Sequence, residues 1–281
     1  MRINVQLDLN RAQDVMGLHI QSMVEKYKLK KLTDFAFIKM HTLEDEFADM
    51  VFRYKNQVYA ILMDVTHGNE HITLKPNKVK KFIAAAKRYN LVPCVFPITM
   101  NFEPIHSEHG YGVVFEEGEV PKNTAYFVTN PDTWNLFNIE KFNQVNPLEL
   151  SSDTPIEMSD YELGNFSVFA ASRVLEQAGF HVDVFSDMPD RYPQILFITG
   201  NGRKGWCSVV YSTKYDVDNV DEYKKIFNKN SKSHNPKKDA DLYEFMNMHE
   251  GILFCAYIKN SLRTDKEHGF RYKYMPFPKI K

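Results

Sequence analysis

Two histidines, His109 and His268, stand in the same short phrase: Glu-His-Gly followed by an aromatic residue. A histidine that follows a strand has the chemistry of a general base or of a metal ligand. The alternative is a turn, in which Gly110 and Gly269 adopt positive φ and the imidazole caps a backbone carbonyl. We favour the turn, because the phrase recurs in a half of the chain that has no acids placed for catalysis.

The context of the phrase also recurs. Glu108 lies 14 positions after Cys94, and Glu267 lies 12 positions after Cys255, with each cysteine inside an apolar run. A shared phrase in a shared context predicts an internal duplication, which we prefer to two unrelated lobes of similar order.

The composition is that of a globular protein. The 281 residues are 43% hydrophobic and 25% charged, and a net charge of −1 excludes a global basic field for nucleic acid. Three cysteines in apolar stretches, at 94, 207 and 255, indicate a reducing compartment without disulfides. With neither a signal pattern nor an apolar run of membrane length, we expect a cytoplasmic protein that does not enter membranes. Motifs for nucleotide cofactors and paired-cysteine zinc sites are also lacking, so no small-molecule cofactor is expected.

The first half has a definite order of elements. Hydrophobic periodicity predicts a helix, then three strands, of which the last two form a hairpin around Lys55-Asn56-Gln57. A second helix starts at Pro76 and ends at Asn90, and an apolar strand follows. The predicted ranges are 11–28 for the first helix, 35–40 and 50–65 for the strands, 76–90 for the second helix and 91–100 for the last strand.

The second half repeats that order. A helix over 164–180 closes at Gly179, three strands follow with a turn at 200–202, and a helix leads to a last strand around Cys255. The predicted fold is therefore α/β, with two tandem units that each have a mixed sheet flanked by helices. The predicted boundaries are 1–130 for the first repeat, 131–163 for a linker or interface segment and 164–281 for the second repeat.

This order of helix, three-stranded meander, helix and strand resembles the core of the restriction-endonuclease-like (PD-(D/E)xK) nucleases. The stretch KVKKFIAAAKRYNLVPCVF is similar to the helix and strand that follow the active site in archaeal Holliday-junction resolvases, and RVLEQAGFHVDVF resembles their first helix and strand. The resemblance covers most of both halves, as a pattern rather than a unique signature.

The resemblance implies a magnesium site in the first half. Such nucleases place an Asp at the start of the second strand and Glu/Asp-x-Lys on the third, where residues i and i+2 share a face. Asp49 and Asp64 occupy the acidic positions and would hold Mg²⁺. Thr66 stands where the lysine belongs. In the family the lysine can move to the following helix, and Lys75 or Lys78 could replace it there, although a solvated helix face also explains these lysines.

The second half departs further from the family pattern. Gln194 takes the position of the first acid, and Tyr211 and Thr213 stand where the second acid and the lysine belong. This half is therefore predicted to be catalytically inactive.

Basic residues on the later helix of each half are candidates for binding DNA or RNA phosphates. They are Lys78, Lys81, Lys87 and Arg88 in the first half and Lys224, Lys225, Lys237 and Lys238 in the second.

Together these features predict a nucleic-acid-associated pseudo-nuclease, built as an intramolecular pseudo-dimer and without cleavage activity because of Thr66. One alternative is a structural or partner-binding subunit, for example of a phage particle or a multi-protein complex. A second alternative is a Mg²⁺-dependent endonuclease with one active site in the first half.

Overall fold

A computed structural model describes residues 9–29, 34–39, 48–68, 70–101, 124–186, 192–231, 240–263 and 269–277. The chain divides into two compact units, Met1–Asp153 and Thr154–Lys281. Both units are mixed α/β structures. Among the helices of these ranges, none combines the length and apolar character needed to cross a membrane.

The first unit contains the predicted helix, meander, helix and strand, followed by short additional strands. Its helices are α1 (Leu9–Lys26), α2 (Pro76–Arg88) and α3 (Pro147–Leu150). Its strands are β1 (Phe35–Lys39), β2 (Met50–Tyr54), β3 (Gln57–His67), β4 (Glu70–His71), β5 (Val92–Asn101), β6 (Ala125–Val128), β7 (Leu136–Asn138) and β8 (Gln144–Val145).

The first sheet is antiparallel through β1, β2 and β3, and α2 then carries the chain to β5, which is parallel to β3. The order is β1-β2-β3-β5-β7-β8, with β6 also paired antiparallel to β5. A crossover helix of this kind is the usual link between parallel neighbours, because a tight turn cannot join them. The carboxyl ends of β3 and β5 therefore meet at the same edge of the sheet.

Alternation along β3 separates two faces of this sheet. Tyr59, Ile61, Met63 and Val65 belong to the core cluster that includes α1. The intervening residues, Asp64 among them, point to the opposite face, since successive side chains in a strand alternate. On that side α2 packs against β5 and buries Phe82 and Ala86.

The second unit has the same core order with one further antiparallel strand. Its helices are α4 (Asp160–Gln177), α5 (Val220–Ser231) and α6 (Ala240–Met248). Its strands are β9 (His181–Phe185), β10 (Ile195–Ile198), β11 (Lys204–Ser212), β12 (Glu250–Ile258) and β13 (Phe270–Pro276).

The second sheet has the order β13-β12-β11-β10-β9, in which β12 is parallel to β11 and the other pairs are antiparallel. One core cluster joins α4 to residues such as Cys207 and Phe254. The other joins Val210 and Cys255 to Tyr223 of α5. The predicted mixed α/β class with helix-flanked sheets is thus confirmed, and the two units share the core strand order that a duplication requires.

The boundaries differ from the prediction. The segment 131–163 was predicted to link the repeats, but its strands β7 and β8 pair into the first sheet. The boundary between the two units falls after Asp153. Helix α4 starts at Asp160 rather than at the predicted residue 164, because Ser159 and Glu162 form a capping box. The Ser159 side chain accepts from Glu162 N, and the Glu162 side chain accepts from Ser159 N.

The two cysteines used to align the halves are not equivalent. Cys94 lies opposite Ile61 and packs in the α1-side cluster, whereas Cys255 lies opposite Val210 and packs on the α5 side. Their strands hold equivalent places, but the cysteines lie on different faces, so their alignment was wrong. Gly269 has the predicted positive φ, of 57°. The first copy of the Glu-His-Gly phrase, and His268 of the second, lie outside the described residues.

Candidate functional site

Asp49 lies at an irregular start of β2, immediately before the regular ladder with β3. Its backbone N–H donates to Ile61 O at 2.8 Å, and its Oδ2 accepts from Met63 N at 2.7 Å. The Asp49 carboxylate thus accepts a hydrogen bond from the β3 backbone, in place of a main-chain carbonyl. This fixes the side chain beside the point where Asp64 follows Met63.

Lys78 comes to the same carboxylate from the first turn of α2. Its Nζ donates to Asp49 Oδ1 at 2.9 Å. The lysine side chain is 37% exposed and the Asp49 side chain 10% exposed, so the ammonium group stands between a buried acid and solvent. Pro76 near the helix start sets the position of this turn, as proline is favoured at the first helical residue.

Asp64 is the second acid, and its side chain is only 9% exposed. His71 Nδ1 donates to both of its oxygens, 2.7 Å from Oδ2 and 2.9 Å from Oδ1. Burial raises the pKa of the Asp64 carboxyl, while the hydrogen bond and charge of His71 act in the opposite direction. A carboxyl whose pKa is shifted both by burial and by a specific charged partner is a candidate for a functional position.

Thr73 holds the segment that carries His71 against β3. Its hydroxyl donates to Met63 O at 2.6 Å and accepts from Val65 N at 2.9 Å. Sequence reasoning missed His71, because a polar residue in a two-residue strand carries no local signal. Thr66 lies two residues after Asp64, so it shares its face, and its hydroxyl makes only a long contact of 3.4 Å to Ile98 O.

These residues offer oxygen ligands for a divalent cation. No three His, Cys, Asp or Glu side chains within the described ranges are grouped closely enough to form a complete ligand set. Two carboxylates suffice for Mg²⁺, which usually keeps several waters and shares its remaining positions with substrate phosphates. Asp49 and Asp64 therefore fit this ion by donor type, and Lys78 adds a positive charge beside Asp49.

The remaining basic candidates are mostly engaged with other side chains. Lys81 is exposed on α2, and Arg88 lies over the Tyr89 ring at 5.1 Å. Three lysines form ion pairs with acids: Lys87 with Glu140, Lys224 with Asp221 and Lys225 with Glu222. Lys237 and Lys238 lie outside the described residues. Among the described members of the predicted nucleic-acid-binding set, Lys78 is the one that contacts Asp49.

The matching position in the second unit is Gln194, as the sequence predicted. Its backbone N–H donates to Cys207 O at 3.1 Å, and its Oε1 accepts from Val209 N at 2.8 Å, which reproduces the two contacts of Asp49. The amide differs by also donating from Nε2 to Val209 O at 3.1 Å. A neutral side chain bonded on both sides to one residue's backbone has no charge for a metal ion.

The rest of the second site is also replaced. The hydrogen bonds of Asp49 and Gln194 align Met63 with Val209, so Val210 takes the position of Asp64 and Ser212 that of Thr66. The prediction of Tyr211 and Thr213 for these positions was wrong by one residue. Val210 is buried with Leu253 and Cys255. Tyr223 of α5 fills the space beside them and donates to Tyr215 O at 2.7 Å and Ala256 O at 3.0 Å. Burial raises the pKa of the Cys255 thiol to about 11, opposed by Lys273 and Lys224, so it stays protonated. This face is an apolar core.

The sequence matches no family model, and it has no significant match among curated proteins or solved structures.

Proposed function

We propose that the protein is a metal-dependent phosphodiesterase that acts on nucleic acid, with a single site in the first unit. In this proposal the second unit is a non-catalytic copy of the same restriction-endonuclease-like core. The observation that carries the proposal is the 2.9 Å contact between Lys78 Nζ and Asp49 Oδ1, in a unit whose strand β3 also carries the buried Asp64.

The contact between Lys78 and Asp49 changes what Thr66 implies about catalytic activity. From the sequence alone, a threonine in the lysine position favours an inactive protein, because its hydroxyl carries no charge. Lys78 supplies an ammonium group at Asp49 from the helix instead. The same core order in both units supports the resemblance to PD-(D/E)xK nucleases on which the acidic positions depend.

The residues divide the chemical work between them. Asp49 and Asp64 would hold Mg²⁺, which supplies Lewis-acid polarisation of a phosphodiester when it is bound. Lys78, held at Asp49, would offer a positive charge to a non-bridging phosphate oxygen that gains negative charge during attack. One preorganised electrostatic group of this kind typically contributes about 10²–10³ in rate.

The pseudo-nuclease remains the second candidate, and His71 favours it. Its imidazole occupies both oxygens of Asp64, so an ion would have to displace that hydrogen bond. In this case the first unit would bind nucleic acid without cutting it.

Cleavage of labelled single- and double-stranded DNA and RNA, with Mg²⁺, Mn²⁺ or EDTA, separates the two candidates. The proposal predicts metal-dependent cleavage by the wild type that is lost in Asp64→Ala. A wild type that is inactive on every substrate, together with a Thr66→Lys variant that gains activity, would establish the pseudo-nuclease instead.

A further inference from the structure

An exposed aromatic side chain stands on the same sheet face as the candidate site. In the register of the first sheet, Thr66 on β3 lies opposite Thr99 on β5, and Thr99 lies opposite Phe127 on β6. Side chains of directly opposed residues point to the same face. Thr66 shares its face with Asp64, so the row runs from the acids to Phe127.

The neighbour of Phe127 confirms this orientation. Tyr126 is buried in the core cluster on the α1 side, so Phe127 must point the other way. Phe127 is 52% exposed, although it is a large apolar residue in a strand. A single exposed phenylalanine is ordinary on a protein surface. Its place at the end of a row that begins at a phosphodiesterase site is what distinguishes this one.

The distances suit a nucleotide. Neighbouring strands are separated by about 4.8 Å, which places Phe127 about 10 Å across the sheet from Thr66. Two residues along β3 add about 7 Å to reach Asp64. The side chains between them in the row are the small hydroxyl residues Thr66 and Thr99, and Thr99 Oγ1 lies 3.5 Å from Thr129 Oγ1. A phosphate at the acids would therefore leave the base of a nearby nucleotide over the Phe127 ring.

We infer that Phe127 is a stacking platform for an unpaired base, and that the substrate is single-stranded nucleic acid. This inference rests on the proposed phosphodiesterase function. A base within a duplex is covered on both faces by its neighbours, whereas an unpaired base can stack on an aromatic side chain. Stacking does not depend on base identity, so the platform recognises strandedness rather than sequence.

Binding measured in EDTA tests the platform without cleavage. The probes are a short oligothymidine, its oligouridine counterpart and a blunt duplex of the same length. Phe127→Ala is expected to weaken single-strand binding by at least about fivefold. The matched control is Leu18→Ala, since Leu18 is 71% exposed on α1, the helix on the opposite face. Comparing the thymidine and uridine strands distinguishes a DNA substrate from an RNA substrate.

A Phe127→Trp variant adds a spectroscopic signature. The two natural tryptophans, Trp134 and Trp206, are both buried, so an added indole at 127 is the exposed reporter. Its fluorescence is expected to fall as the single strand is added, while the same change at the control position, Leu18→Trp, gives no such fall. Binding of single strands by Phe127→Trp should remain near the wild-type value, because tryptophan also stacks.

The outcomes separate the platform from the catalysis. Unchanged single-strand affinity in Phe127→Ala, an equal loss in Leu18→Ala, tighter binding of the duplex, or no binding at all would overturn the platform. If the Phe127 effect appears but the wild type never cleaves with Mg²⁺, the platform stands and the proposed catalysis fails. If cleavage requires Asp64 but Phe127→Ala binds normally, the catalysis stands and the platform fails.

Discussion

Asp49 and Gln194 occupy the same place in the two units and do different work. Each immediately precedes a strand, donates its backbone N–H to the neighbouring strand (β3 or β11) and accepts a main-chain hydrogen with its side chain. Asp49 has one oxygen left, and it contacts Lys78. The Gln194 side-chain nitrogen donates to Val209 O, so both the oxygen and the nitrogen of its amide are bonded to the backbone. One backbone position thus carries a charged side chain paired with a lysine in the first unit and a neutral side chain bonded only to the backbone in the second.

The ion pairs of the two units differ in the same way. In the second unit Arg263 donates to Glu162 from Nε at 2.9 Å and from Nη2 at 2.8 Å. These side chains are 1% and 4% exposed, and Glu162 also belongs to the capping box of α4. The Asp49–Lys78 pair is far more open on its lysine side. Burial marks the Arg263–Glu162 pair as structural, whereas the exposed side of Lys78 leaves the Asp49–Lys78 pair available to a ligand.

The largest expected effect is on the structural pair. Arg263→Met leaves the Glu162 carboxylate buried without its partner, which should cost about 3–5 kcal/mol of unfolding free energy. Urea unfolding monitored by Trp206 fluorescence, in a Trp134→Phe background, reports the second unit. Lys78→Met, followed by Trp134 fluorescence in a Trp206→Phe background, is the matched change in the first unit and should cost less than about 1 kcal/mol, since the lysine is partly solvated. Equal costs in the two units would erase the distinction between the pairs.

The next effect concerns the saturated amide. Gln194→Met removes the partners of Val209 N and Val209 O in a buried setting, and an unpaired buried polar group costs about 1–3 kcal/mol. The same urea experiment measures it, and we expect no effect on nucleic-acid cleavage. A Gln194→Met variant that lost cleavage while remaining folded would show that the second unit takes part in the chemistry.

The smallest effect is a gain in stability. Burial raises the folded-state pKa of Asp64, so its contribution to stability is greatest below the ordinary carboxyl pKa and is lost as pH rises through the raised value. Asp64→Asn replaces the buried charge that costs stability above the raised pKa. The variant should therefore have a free energy of unfolding about 0.5–1 kcal/mol higher at pH 7. Thermal unfolding at neutral and acidic pH tests this. A gain that did not shrink on acidification would contradict the assignment of burial as the cause.

Local signals in the sequence located most of the elements. Pro76 predicted the start of α2, which runs over Pro76–Arg88 with Phe82 and Ala86 buried. The hairpin turn was placed correctly at Lys55, which has φ of 49° between β2 and β3. Such features depend on nearby residues alone, and so they can be read from one chain.

Features that depend on distant residues were missed. The contact between Lys78 and Asp49 spans 29 positions and depends on how α2 is placed over the sheet, so the sequence left Lys78 as either a replacement lysine or a solvated residue. Strand register was equally hidden, because Cys94 and Cys255 occupy similar apolar runs but lie on different faces. The early start of α4 had a readable signal, the capping box, that was assigned to the linker.

Single-turnover cleavage by two neighbouring lysine variants tests the central claim most directly. Lys78→Met removes the ammonium group at Asp49, and Lys81→Met removes an equal charge from an exposed position on the same helix. With Mg²⁺ and labelled single-stranded substrate, we predict that Lys78→Met lowers the rate constant by about 10²–10³. Lys81→Met should keep it within about threefold of the wild type, since a single surface charge changes little. Equal rates in the two variants would contradict the claim that the first unit owes its chemistry to Lys78.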